Sequence, residues 1–218
     1  LGDVYKRQIS DRGAYDTFPL TAGNGSYALQ VLENVAGDTY TVSLAQSINV
    51  NIEDEFLPFL YPNQYVNFHT DSKAVSKGSD LAKDTYSDLD VVQNIYNYVI
   101  KNISYDTEKA QNVSYGYVPD IDDTLSSKKG ICFDYAALMA SMLRSQNIPT
   151  KLEVGYSGDA YHAWISTYID DKGWVDDIIQ FNGNTWQIMD PTLAATNDSA
   201  AVKKYIGDGS HYVVKYTY

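Results

Sequence analysis

Three features of the sequence support an α+β fold. Apolar residues alternate between Tyr27 and about Phe68, recur at helical spacing in two later stretches, and alternate again in turn-separated segments beyond Pro149. Period two is the mark of strands with one buried face, and a period near 3.6 is the mark of amphipathic helices. The order predicts a β-rich N-terminal segment, residues 1–70, followed by a mixed domain, residues 71–218, in which helices precede antiparallel strands.

In the first segment, Tyr40, Val42, Leu44, Ile48, Val50 and Ile52 share one parity, interrupted by Gln46, and "SYALQVLENV" precedes them across "AGD". A hairpin is the simplest reading. "FLPFLYPNQYVNF" carries two prolines among aromatics, which suits an edge segment or an ordered crossing loop. Near residue 70 the composition turns polar and the period becomes helical. Val92, Ile95, Tyr96, Val99 and Ile103 predict an amphipathic helix with Asp88 as its N-cap, ending near "NISYD". "VPDIDDTLSSKKG" reads as a loop. A second helix then starts at Cys132, with Cys132, Ala136, Met139 and Leu143 on one stripe and Asn147 and Pro149 as its stop. "TKLEVGY", "HAWISTYI", "NTWQIMD" and "YVVKYTY" read as strands, with turns at "DDKG" and "NGN".

Composition narrows the function. With 44% hydrophobic and 20% charged residues the chain is of ordinary globular make-up. Its net charge of −12 argues against nucleic acid as a partner, because phosphate binding needs a basic face. No run approaches the roughly 18 apolar residues that span a bilayer, and no signal segment opens the chain. "LGDVYKRQ" starts without methionine and looks like a fragment boundary. A single cysteine makes neither an internal disulfide nor a cysteine-based metal site, so no metal and no cofactor are expected. Acidic pairs such as Asp122 with Asp123 neither support nor exclude calcium. Twenty tyrosines, with abundant Asn, Ser, Thr and Asp, resemble bacterial surface proteins and suggest an extracellular or surface-attached setting.

The lone thiol opens a helix, where unpaired N–H groups and the dipole favour thiolate over thiol. Lys128 and Lys129 lie just upstream, and Gly130 permits close backbone approach. The competing reading is a small buried hydrophobe. Nucleophilic cysteine catalysis also needs an imidazole and a group to orient it. His162 begins the strand "HAWISTYI" and Asp190 ends "WQIMDPT", so two neighbouring strand ends can face one helix terminus. The alternatives are a strand-capping histidine and a turn aspartate before Pro191.

"GICFDYAALMASMLRSQNIPTKLEVGY", "HAW" and "WQIMDPT" together resemble the core of the transglutaminase-like superfamily, papain-like enzymes with a Cys-His-Asp triad, over about residues 88–195. The resemblance implies a nucleophile helix packed on an antiparallel sheet, with Cys132 as nucleophile, His162 as general base and acid, and Asp190 as the residue orienting His162. "ISYD" is also similar to a family segment, without assigning roles to Tyr105 or Asp106. "DDKGWVDDIIQFNGN" is longer than the expected hairpin, which makes Asp176 and Asp177 rivals for the third position, and "WQIMDPT" favours Asp190. The expected activity is acyl transfer on a peptide or amide through a thioester, with hydrolysis preferred over amine transfer. The backbone N–H of Cys132 is the first oxyanion donor, and Trp164, Trp174 and Trp186 are cleft-wall candidates with the core as their default place. The expected partner is a protein or peptide substrate, to which the β-rich segment could deliver the domain at a cell wall. The alternative is a non-catalytic scaffold or binding module on the same fold.

Overall fold

A computed structural model describes residues 4–9, 13, 15–170, 172–175, 180–181, 186–187 and 212–218. Two strands, β1 (Gly25–Ala36) and β2 (Thr39–Val50), pair antiparallel around Gly37 and Asp38. Gly37 has φ +54, the left-handed conformation that a tight two-residue hairpin turn requires. The registers Val31↔Leu44 and Leu32↔Val42, on either side of a bulge, pair apolar residues across the ladder. These residues are not buried. Leu44 is 55% and Val42 52% exposed, because no second layer among the described residues covers the hairpin. The alternation therefore reports pairing here, and the expected half-burial does not hold. "FLPFLYPNQYVNF" is an ordered crossing segment with a single 3-10 turn at Leu57–Phe59. Phe56 and Phe59 pack on Trp174, and Val66 enters the core.

Four helices precede the central one: α1 (Lys73–Ala82), α2 (Asp88–Asn102), α3 (Thr107–Asn112) and α4 (Ile121–Ser127). The N-cap of α2 is Ser87, one residue earlier than expected. Its hydroxyl oxygen accepts from Asp90 N–H at 3.2 Å, which leaves Asp88 in the first turn. α4 lies inside the stretch that reads as a loop. Asp120 caps it, accepting from Asp122 N–H and Asp123 N–H, and one seven-residue turn pair is too short to show a period. The Asp122 carboxylate in turn accepts from Lys73 N–H (3.0 Å) and Ala74 N–H (2.9 Å), capping α1 from a distant part of the chain.

Two-residue strands β3 (Ser104–Tyr105) and β4 (Lys129–Gly130) pair in parallel and lead into α5 (Cys132–Ser145). The sequence shows a stripe on α5, yet every residue from Asp134 to Arg144 is buried. The helix is sandwiched: α1, α2 and α4 pack on one side, and on the other lie β5 (Thr150–Ser157) and β6 (Ala160–Ile169). These two strands belong to an antiparallel sheet ordered β10-β5-β6-β7, with β7 at Gly173–Val175 and β10 at Tyr212–Thr217. β8 (Gln180–Phe181) and β9 (Trp186–Gln187) form a separate small ladder. Helices on one side of an antiparallel sheet give the α+β arrangement that the sequence predicts.

Arg144 closes the far end of α5. It is 3% exposed, and its guanidinium donates to Thr150 O (2.8 Å), Tyr61 O (2.8 Å) and Tyr218 O (2.7 Å). Burial pulls its pKa down to about 9, which leaves the group charged at neutral pH. Three carbonyls from three separate segments thus share one cation. Arg144→Met is expected to strand them and to destabilise the fold by about 3 kcal/mol or more, lowering the melting temperature by about 10 °C. Arg144→Lys, with fewer donors, should fall between. Thermal unfolding followed by circular dichroism tests this, and a melting temperature for Arg144→Met within about 2 °C of the parent would refute it.

Candidate active site

The nucleophile candidate is positioned by backbone before any side chain is involved. Asp106 N–H donates to Gly130 O at 2.9 Å, and Tyr105 pairs with Gly130, so "ISYD" is the strand that fixes the approach to α5. One turn inside α5, the buried Tyr135 hydroxyl donates to Ile103 O at 2.6 Å. Its pKa is pushed up to about 12, chiefly by burial, so it stays a donor. Gly130 is required by space: a Cβ there would stand 2.7 Å from Asp134 Cβ and 3.3 Å from Thr124 Cγ2.

Ile131 occupies the N-cap and has no oxygen with which to cap the helix. The N–H groups of the first turn, including that of Cys132, are therefore not occupied by an N-cap side chain. Capping runs the other way, since the Asp134 carboxylate accepts from Ile131 N–H at 2.8 Å. Asp134 is fully buried, and it also takes hydrogen bonds from the Tyr117 hydroxyl at 2.5 Å and the Lys109 ammonium at 2.7 Å. Burial, and then the bond to this carboxylate, hold the Tyr117 hydroxyl far above its ordinary pKa. Lys109 is itself placed by "ISYD", because the Asp106 side chain accepts from Lys109 N–H and caps α3. Asp134, Tyr117 and Lys109 are the site residues that the sequence reading misses. The legible signal is the acid three positions after the N-cap in "ICFD"; the isoleucine at the N-cap hides the pattern.

Cys132 is partly buried and packs against the core edge, neither sealed in nor free of the fold. α5 is about 20 Å long at 1.5 Å per residue, and β5 runs back along it after the turn at Asn147, whose φ is +62. His162 pairs with Gly155 across the β5–β6 ladder. Ala163 and Ile165 join the core beneath α5, while the His162 ring lies alongside Trp164 on the other face of the sheet, with centroids 6.2 Å apart. Trp164 is buried and donates to Glu153 Oε2 at 3.1 Å; it is a support of that strand, in the core role expected by default. Trp174 packs with Phe56, Phe59 and Tyr168. Asp190, with its rivals Asp176 and Asp177, lies outside the described residues, as does the Trp186 side chain. No group of three or more His, Cys, Asp or Glu side chains among the described residues could hold a metal ion.

Residues 76–176 match the family model of the Transglutaminase-like superfamily. Over that stretch the chain is similar to the transglutaminase-like superfamily. Across 99% of its length it is similar to the crystal structure of a candidate cysteine protease from Cytophaga hutchinsonii, at a TM-score of 0.51 and 16% identity, covering 74% of that chain. This likeness shows the fold. It is 30% identical to UPF0252 protein MJ1282 of Methanocaldococcus jannaschii, over 47% of this chain and 34% of that protein. It is also 30% identical to the kyphoscoliosis peptidase of Mus musculus, over 43% of this chain and 16% of that protein. The chain thus spans 34% and 16% of the length of these two curated relatives.

Gly130→Ala should displace Asp134 and the turn into α5, lowering stability by about 1–3 kcal/mol and slowing alkylation of Cys132 by iodoacetamide in protein that remains folded. An alanine variant with the parent's stability and thiol reactivity would show that the close approach has no consequence.

Proposed function

We propose that the transglutaminase-like domain is a cysteine-dependent acyl-transfer enzyme acting on peptide or amide substrates. The observation that carries this reading is the only thiol of the sequence standing at the N-terminal end of the buried helix α5, with His162 near the start of β6, a strand that packs on that helix. The Cys132 sulfur attacks the amide carbonyl carbon, forming a C–S bond while the oxygen becomes an oxyanion. The backbone N–H groups of the first turn of α5 are suited to receive that charge. The C–N bond then breaks as His162 delivers a proton to the leaving amine. In the second half, water or an amine loses its proton to His162 and attacks the thioester, and the C–S bond breaks to return the thiolate. Asp190 is the third member, orienting the imidazole. Hydrolysis is preferred, because amine transfer further needs a site that holds the acceptor and excludes water. The composition supports a bacterial extracellular or surface setting. No helix among the described residues is long and apolar enough to cross a membrane.

The test incubates the protein with glutamine-bearing and ordinary peptides plus a labelled primary amine, with Cys132→Ala as control, and reads products by mass spectrometry. Cleaved or deamidated peptides, lost in Cys132→Ala and His162→Ala, are expected. Asp190→Asn should slow turnover by orders of magnitude with the fold intact. Loss in Asp176→Asn or Asp177→Asn instead would move the third role. Amine adducts that dominate at modest amine concentration would reverse the preference for water, and no Cys132-dependent product across the library would favour a non-catalytic scaffold.

A further inference from the structure

Lys109 belongs to a helix that contributes no residue to the core; none of Thr107–Asn112 is buried. Its side chain nevertheless reaches inward to a fully buried carboxylate, and only 28% of that side chain remains exposed. A buried carboxylate is costly unless it is paired. Asp134 has one cationic partner among the described residues, and that partner is Lys109. The remaining bonds to Asp134 come from uncharged donors, the Tyr117 hydroxyl and Ile131 N–H. Lys109 also donates to the Tyr117 oxygen at 2.6 Å and stands 4.5 Å from the centre of its ring, so the three groups form a closed triangle. The carboxylate is only two positions beyond Cys132, on the same helical turn, and it holds the N–H of the residue before it.

We propose that Lys109 is a positioning residue for Cys132: its ammonium balances the charge of Asp134, keeps that carboxylate on Ile131 N–H, and thereby fixes the nucleophile's turn and lets the thiolate form. This assignment rests on the reading of Cys132 as nucleophile. Without the ammonium, one of two things follows. An unbalanced carboxylate would repel a thiolate on the same turn, or it would take up a proton and loosen its hold on Ile131. Either raises the pH at which Cys132 reacts. The other charged or titratable groups around the turn are Lys128 and Lys129 in the approach, Asp106 at the start of α3, Tyr105 on β3, Asp120 and Asp123 on α4, with His162 on β6 joining them on the nucleophile reading. Lys128 and Lys129 cannot substitute for Lys109, since neither contacts Asp134.

The experiment measures the rate of Cys132 alkylation by iodoacetamide against pH in the full chain, with melting temperature recorded for each variant. Lys109→Met, which keeps bulk without charge, and Lys109→Gln, which keeps a donor without charge, should both move the profile upward by about one pH unit, slowing the reaction at pH 7 about tenfold. Lys109→Arg should restore the rate to within about threefold, because a guanidinium can also pair with the carboxylate. Tyr117→Phe removes a hydrogen bond but leaves the ion pair, so it should lower the melting temperature while moving the profile by less than the neutral Lys109 variants do. A profile unmoved in Lys109→Met and Lys109→Gln, even with lower stability, would make Lys109 a structural residue and overturn the proposal. So would a shift in Tyr117→Phe as large as theirs. Wild-type alkylation that rises only near the ordinary thiol pKa of about 8.5 defeats the nucleophile reading itself; a low wild-type profile indifferent to Lys109 defeats only this assignment.

Discussion

A helix buried along almost its whole length has to satisfy its polar ends inside the protein, and that constraint on α5 organises the rest of the domain. Every residue from Asp134 to Arg144 is shielded from water. The two ends of that buried stretch are an acid near the N-terminus and a base near the C-terminus, the signs that the helix dipole favours. Each draws in distant chain. Asp134 gathers Ile131, Tyr117 and Lys109, and Arg144 gathers the carbonyls of Tyr61, Thr150 and Tyr218. Neither can be replaced by a generic polar residue, since the first needs a carboxylate with several acceptor positions and the second a planar fork of donors. The order of the elements around α5 follows from where those partners sit in the sequence.

The same arrangement leaves room for chemistry at one end. Had the N-cap been serine or aspartate, its oxygen would have occupied the N–H groups of the first turn. With isoleucine there and the capping acid placed three residues on, the bond goes backward to Ile131 and the forward-pointing groups are spared. The short β3–β4 ladder and the close pack of Gly130 against Asp134 then set the direction in which α5 starts. The register of β5 with β6 decides which residue lies opposite Gly155. A shift of one position would present Ala163 or Tyr161 in place of His162.

Long periodic elements were legible because their signals accumulate: α2, α5, β5, β6, β10 and the first hairpin all follow from spacing alone. Short ones were not. α3 and α4 hold six and seven residues, too few for a period, and each depends on an aspartate cap that reads equally well as a loop residue. The triad candidates could be named because a thiol, an imidazole and a strand-ending acid are chemically unusual. Lys109 and Tyr117 could not, since a lysine and a tyrosine in a polar stretch are ordinary until the fold folds α3 back onto α5. Burial was misjudged in opposite directions. The stripe on α5 understated it, because helices pack on one side and a sheet on the other. The alternation in β1 and β2 overstated it, because cross-strand pairing alone can sustain the pattern.

The exposed hairpin has a consequence for how the molecule breathes. Its strands are held by their own ladder of hydrogen bonds and by side chains paired across it, with little core beneath. Opening that ladder leaves the buried cluster around α5 intact, so its amides can exchange with solvent through a local event. Amides of α5, β5 and β6 have no comparable route and exchange only when the sandwich itself comes apart. Two populations of protection, divided near Val50, would coexist in one chain, and a single unfolding free energy would describe only the slower of them.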